Sequence, residues 1–416
     1  YMDRPLVHVP GSPEYERPGQ LRYLALVLLP DATIHLRDLG PAGPIDSAAS
    51  GLRDALAIRD AAFEAPAQAL YQRVFQPLLP LLGATRRLFV SPDGQLALVP
   101  FAALHDGQGL LVDAFDFTYL PSGRSLLPGP QEGAAPDSVV VLADPDFSGV
   151  PPEGPRSQGN DSVLPMRTMV AERSVPAPSE GLAQRTWTPT PLPGTRREAE
   201  AIQRLLPQAQ LFLGPKATKE RLSLLPTPGI LHLATHGFFL EDAPEPSDSR
   251  AVAYLGALGE DPLAASPPDP LLRSGLVFAG ARAQGLLSGS APPQPPAESA
   301  LMTALELAGL NLWGTQLVVL SACDTGRGDV KLGQGVYGLR RALLVAGAET
   351  VVMSLWKVND ETTSGLMEAY YRYLLEGQGR ATALRAAMLE LRRTQPHPHY
   401  WAPFIAMGRE TPLRLP

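Results

Sequence analysis

The chain holds one cysteine, Cys323, and it ends an apolar run, Leu317-Val318-Val319-Leu320-Ser321-Ala322. A second apolar run, Ile230-Leu231-His232-Leu233-Ala234-Thr235, ends in His236-Gly237. If the two runs are neighbouring strands of a parallel sheet, imidazole and thiol emerge at one edge, where such sheets place their chemistry. A thiolate is the attacking species, and a free thiol with a pKa of about 8.5 is mostly protonated at neutral pH. A neighbouring imidazole takes that proton and later passes it to a leaving amine. The backbone amides of Gly237 and Cys323 are candidates for an oxyanion hole, since glycine lets the chain approach a substrate carbonyl closely. Gly326, Gly328, Gly333 and Gly335 make the loop after Cys323 adaptable.

Each residue also has a plainer reading. A lone cysteine is commonly a small core hydrophobe, and a histidine ending a strand can be structural. His232 shares strand parity with His236 but lies deeper, which reads as a core or supporting position. The glycine-rich 326–335 loop before a helix could cradle a phosphate. It lacks the Gly-Lys-Ser/Thr ending of a P-loop, and it follows a cysteine instead of a nucleotide fingerprint.

The elements that must position these residues follow from periodicity. Residues 21–29 and 33–38 read as a hairpin turning at Pro30-Asp31. Helices are expected near 47–60 and 66–82, and strands at 87–90, 96–99 and 115–119. Beyond 131, strands at 138–142, 211–213, 230–235, 276–278, 317–321 and 350–355 alternate with helices. The helices are expected at 196–206, 219–225, 302–308, 335–345, 361–375 and 381–392. Alternation of apolar strands with helices predicts an α/β fold, a mostly parallel sheet covered by helices. The expected layout is an N-terminal tail over 1–20, a small α/β domain over 21–130 and a larger one over 131–410. Prolines, 45 in all, cluster in stretches that read as loops, giving insertions at 150–193 and 241–300.

Composition sets further limits. With 416 residues and 44% apolar content a sizeable core is affordable, and the length favours two packed domains. The net charge of −7 and the absence of a basic tract speak against nucleic acid as a partner. No apolar run reaches transmembrane length, so no membrane partner is expected. One cysteine allows no internal disulfide and suits a reducing, cytoplasmic setting. The opening Tyr1-Met2-Asp3-Arg4-Pro5 lacks the parts of a signal peptide, and the chain starts as if cut from a longer protein.

Several segments resemble one known family. Ala234-Thr235-His236-Gly237-Phe238-Phe239 is similar to the histidine motif of CHAT domains, and Val319-Leu320-Ser321-Ala322-Cys323-Asp324-Thr325-Gly326 to their cysteine motif. The resemblance continues through Pro270-Leu271-Leu272-Arg273-Ser274-Gly275-Leu276, Val351-Val352-Met353-Ser354-Leu355-Trp356 and Tyr400-Trp401-Ala402-Pro403-Phe404. It includes the N-terminal hairpin and the Ser91-Pro92-Asp93-Gly94 turn, and it spans roughly 20–408. These are caspase-like domains, often attached to tetratricopeptide repeats. The resemblance implies a caspase/separase-type fold, preceded by a smaller pseudo-caspase-like half, and a cysteine endopeptidase acting through a His236–Cys323 dyad. It implies a protein substrate and no cofactor or metal. It also implies an upstream repeat array or a sensor or activator protein as partner. Trp356-Lys357-Val358-Asn359-Asp360 resembles a separase segment whose final aspartate holds a basic P1 side chain. By that likeness Asp360 lines S1 and favours arginine or lysine; its other reading is a cap on a helix starting at Glu361. Asp324 is a second acidic candidate or a residue that holds its loop. Trp356 walls S2 or packs in the core. With a basic S1, self-cleavage at Arg156, Arg167, Arg173 or Arg185 in the proline-rich linker follows as an expectation. The alternative to an enzyme is a catalytically silent, caspase-shaped interaction module.

Overall fold

The computed structural model describes residues 2–3, 21–127, 136–148, 189–239, 271, 274–281, 300–321, 330–331, 335–336, 338–356 and 360–414. After a short strand at Met2–Asp3 that pairs with Leu21 and Arg22, a hairpin forms, β1 (Leu21–Leu28) against β2 (Ile34–Pro41), with Leu26 opposite Leu36 and Leu28 opposite Ile34. Those four aliphatic side chains stay exposed, Leu26 at 70% and Ile34 at 66%. At the other end of the hairpin Tyr23 is buried and donates its hydroxyl to Asp46 at 2.6 Å. Asp46 lies on α1 (Ala42–Ala57), which packs on α2 (Glu64–Val74) through a stripe that includes the buried Leu52, Leu56, Leu70 and Val74. β3 (Arg87–Val90) and β4 (Asp116–Tyr119) follow and pair in parallel.

The second stretch supplies β5 (Val139–Pro145), α3 (Pro193–Leu205), β6 (Gln210–Gly214), α4 (Lys219–Ser223) and β7 (Ile230–Ala234). β8 (His236–Phe239), β9 (Ser274–Val277), β10 (Leu301–Thr303), α5 (Ala304–Ala308) and β11 (Leu317–Leu320) come next. α6 (Leu339–Val345), β12 (Thr350–Ser354), α7 (Asp360–Leu375), α8 (Arg380–Arg392) and β13 (Phe404–Gly408) complete it. Eight strands form one sheet in the order β3-β4-β13-β12-β11-β7-β5-β6. Every neighbouring pair is parallel except β12–β13. The expected class, a mostly parallel sheet flanked by helices, is the observed one.

All residues of β7, β11 and β12 are buried, as strands covered on both faces must be. β7 enters the sheet through a tight approach. Gly229 donates to Ser138 O at 2.8 Å, and a Cβ at that position would lie 1.8 Å from Pro136 O.

Local departures from the expected elements have physical causes. Residues 96–99 do not extend, because Gly94–Leu98 coil as a 3-10 turn that starts where Asp93 Oδ1 accepts from Gly94 N at 2.8 Å. Gly94 takes φ +59°, a conformation that turns the chain away from a strand. The helix expected over 302–308 begins only at Ala304. Thr303 and Glu306 form a capping box there, and Leu301–Thr303 extends as β10 instead. The helix expected from 335 starts at Leu339, after Gly338 with φ +142°. β13, unread in the sequence, is the antiparallel strand that joins β12 to β4. The proline-rich insertions, with Arg156, Arg167, Arg173 and Arg185, lie outside the described residues.

Candidate active site

β7 and β11 are neighbours, paired in parallel with Ile230 opposite Leu317 and Leu233 opposite Leu320. Ser321 N continues the ladder by donating to Leu233 O at 2.9 Å. His236 stands three residues past Leu233, and Cys323 stands three past Leu320. Cys323 and Asp324 themselves lie outside the described residues.

His236 follows the end of β7 and begins a new strand. It opens β8, which leaves the main sheet and pairs antiparallel with β9, His236 opposite Val277 and Gly237 opposite Leu276. Thr235 anchors this change of direction by donating its hydroxyl to Val277 O. The imidazole is fully buried, and its Nε2 lies 2.9 Å from the carbonyl oxygen of Thr190. A carbonyl only accepts, so Nε2 carries the proton, and in the neutral ring Nδ1 carries the lone pair. The Phe147 ring lies 5.2 Å from the imidazole, within an apolar cluster that includes Leu192 and Val277. The histidine is thus oriented by a backbone carbonyl and walled by apolar groups.

The Thr190 carbonyl is itself held in place. It belongs to the segment leading into α3, whose first turn is secured by Thr195. The Thr195 hydroxyl donates to Leu192 O at 2.7 Å and accepts from Asp144 N at 2.9 Å. Arg196 adds an ion pair to Asp144 at 2.8 Å. These are contacts that the sequence reading missed, because a carbonyl contributes no residue-type signal.

Four residues below His236, His232 is also fully buried, as its parity and depth indicated. Its Nε2 lies 3.0 Å from Glu198 Oε1 of α3, off the axis of a hydrogen bond, and its Nδ1 lies 3.0 Å from the Tyr371 hydroxyl of α7. Glu198 and Tyr371 are each 0% exposed. Burial, then the neighbouring Tyr370 and the Glu198 charge, push the Tyr371 pKa well above the ordinary phenol value, so the hydroxyl keeps its proton. Neither partner was singled out from the sequence. A signal existed for Glu198: it falls on the apolar stripe of α3 with Thr195, Ala199 and Ile202, where an unpaired carboxylate would be costly.

The remaining candidates are placed as follows. Asp360 is the first residue of α7, one position earlier than the helix start expected from sequence. Trp356 is buried and donates its indole N–H to His399 O at 3.2 Å. Among the described residues no group of His, Cys, Asp or Glu is arranged to hold a metal ion. No helix among them is long and apolar enough to cross a membrane.

The chain belongs to the CHAT domain family, whose model matches residues 64–409. Its relatives include human tetratricopeptide repeat protein 28, 27% identical over 365 residues, and the mouse protein of that name, 28% identical over 367. In both cases the match covers 84% of this chain and 13% of the relative, so the chain spans about an eighth of their length. Among solved structures, it is similar to the Saccharomyces cerevisiae separase–securin complex, with TM-score 0.38, 11% identity, and coverage of 91% of this chain and 21% of that one. It is also similar to the Arg-specific cysteine proteinase gingipain R, with TM-score 0.43, 8% identity, and coverage of 89% and 75%.

Proposed function

We propose that this chain is a cysteine endopeptidase that uses Cys323 as nucleophile and His236 as general base. The observation that carries this reading is the parallel register of β7 and β11, which gives the two residues the same offset past paired positions. In the proposed cycle, His236 Nδ1 takes the Cys323 thiol proton and the thiolate attacks the scissile carbonyl carbon. The resulting oxyanion accepts from the amides of Gly237 and Cys323. Collapse breaks the C–N bond, and His236 gives its proton to the leaving amine. Water, deprotonated by His236, then hydrolyses the thioester and restores the thiol. The Thr190 carbonyl fits this cycle because it holds the Nε2–H tautomer throughout and steadies the imidazolium.

Asp360 at the start of α7 is the proposed S1 carboxylate, selecting arginine or lysine, with Asp324 and Trp356 as its proposed neighbours. A repeat array or sensor protein is the proposed partner, in keeping with the tetratricopeptide repeat relatives. The proposed setting is cytoplasmic. The test is a peptide-library cleavage assay on the wild type and Cys323→Ala in parallel. Cleavage after basic residues by wild type alone is the expected result; equal cleavage by Cys323→Ala would sink the dyad.

One observation favours a second reading, the silent interaction module: His236 is wholly buried in this state. That reading predicts that no peptidyl electrophile labels Cys323, with or without a protein partner.

A further inference from the structure

We propose that Glu198, His232 and Tyr371 form a positioning network that sets the orientation of His236 from beneath, through the segment that carries the Thr190 carbonyl. The proposal rests on the peptidase reading of His236 for its functional meaning, but its structural claim is tested separately.

The two histidines of the β7–β8 stretch are four residues apart, and both are gripped by the same short segment. Thr190 O holds His236 at 2.9 Å, and Glu198 approaches His232 at 3.0 Å. Between those contacts the segment has little freedom. Pro191 restricts the backbone and Pro193 opens α3. Thr195 ties the helix start to Leu192 O and to Asp144 N at the end of β5. A rotation of α3 about its axis that moved Glu198 away from His232 would therefore carry the Thr190 carbonyl as well.

The other side of His232 faces α7. Its Nδ1 meets the Tyr371 hydroxyl at 3.0 Å, and the rings lie 5.7 Å apart. α7 packs directly against α3. Its first residue is Asp360, about three turns before Tyr371. One buried imidazole therefore fixes the rotation of the helix behind His236 and the axial position of the helix that presents Asp360.

Packing alone does not call for this triad. A strand position enclosed by two helices is filled most cheaply by an aliphatic side chain. Burying a carboxylate, an imidazole and a phenol together costs desolvation that their mutual contacts only offset. What such a set adds over leucine is directionality, since the Tyr371 hydrogen bond and the nearby Glu198 charge discriminate among placements of the three elements more sharply than apolar contacts do.

The experiment uses the full chain with its histidine rings labelled with nitrogen-15, as wild type, Tyr371→Phe and Glu198→Gln. Long-range proton–nitrogen spectra report the tautomer of His236 and the solvent exchange of its Nε2–H, and neither needs turnover. The expected result is Nε2–H exchange at His236 faster by ~10-fold or more in both variants, comparable to the loss when orienting partners of functional histidines are removed. Unchanged His236 shifts and exchange beside altered His232 signals would overturn the proposal, even if the melting temperature falls. Should Glu198→Gln fail to fold, Tyr371→Phe, which deletes one oxygen, decides the matter alone. Labelling of Cys323 by a peptidyl electrophile is measured on the same samples. Slower labelling in both variants is expected. If wild type is not labelled at all, the peptidase reading fails while the spectra still decide the positioning claim.

Discussion

The interior of β7 and its end carry the same side chain in two different settings. His232 is locked by two side chains from two helices, a carboxylate and a phenol. His236 is tied by the Thr190 backbone carbonyl and bordered by an aromatic ring. Both are fully buried, so exposure does not separate them. What separates them is the kind of group that holds them: side chains of two helices for His232, a backbone carbonyl of the segment before α3 for His236. A histidine with both nitrogens engaged by helices serves placement. A histidine oriented through Nε2 by a backbone carbonyl has its basic character directed to Nδ1.

Substitutions can break that contrast. The largest effect is expected from His236→Ala, with cleavage falling by ~10³-fold, as for loss of a general base, beside a loss of stability from the buried ring and its bond to Thr190 O. A cleavage assay paired with a melting curve checks it, and retained turnover would erase the distinction between the two rings. His232→Ala is expected to lower stability by about 3 kcal/mol through a cavity and the loss of two buried polar contacts, with a smaller loss of cleavage than His236→Ala. Urea denaturation with an unchanged slope is the measurement. A smaller loss, about 2 kcal/mol, is expected for Gly229→Ala, since its Cβ would meet Pro136 O and push β7 out of register with β5. That variant should reduce stability and cleavage together, which tests whether the strand places both histidines.

The smallest effect concerns acid. Burial raises the Glu306 carboxyl pKa, but the Lys219 and Thr303 hydrogen bonds outweigh it, so the net direction is down. A carboxyl held lower in the folded chain contributes stability above its unfolded pKa of about 4.3. That stability disappears as pH falls through the folded value. Glu306→Gln should therefore lower the melting temperature at pH 7 and narrow the gap from wild type near pH 3.5. A constant gap across that range would show that the pair with Lys219 contributes nothing through charge. His236 chemistry should be untouched, since Glu306 belongs to the α5 cap.

The central strands were legible because β5, β7, β11 and β12 are apolar without alternation, and only strands covered on both faces can be. The pairing of β7 with β11, the strands that lead to His236 and towards Cys323, was legible for the same reason. What could not be read were contacts made by groups without a residue-type signature. The Thr190 carbonyl is invisible in a sequence, and Tyr371 reads as one more apolar position of α7. β13 was missed because Phe404-Ile405-Ala406-Met407-Gly408 is short and follows Pro403. The coil at Gly94–Leu98 was mistaken for a strand because Leu96, Ala97 and Leu98 are apolar, and their burial comes from a turn packed inward.

β13 has a consequence for how the protein is made. It is the strand through which β3 and β4 reach the rest of the sheet, and it is made only after β5 to β12. On a ribosome the segment ending at Tyr119 must wait for Met407 before its edge is occupied. At about 5–20 residues per second that interval is on the order of tens of seconds. During that time the β4 edge is open to other nascent chains, so slowing synthesis should raise the demand for chaperones.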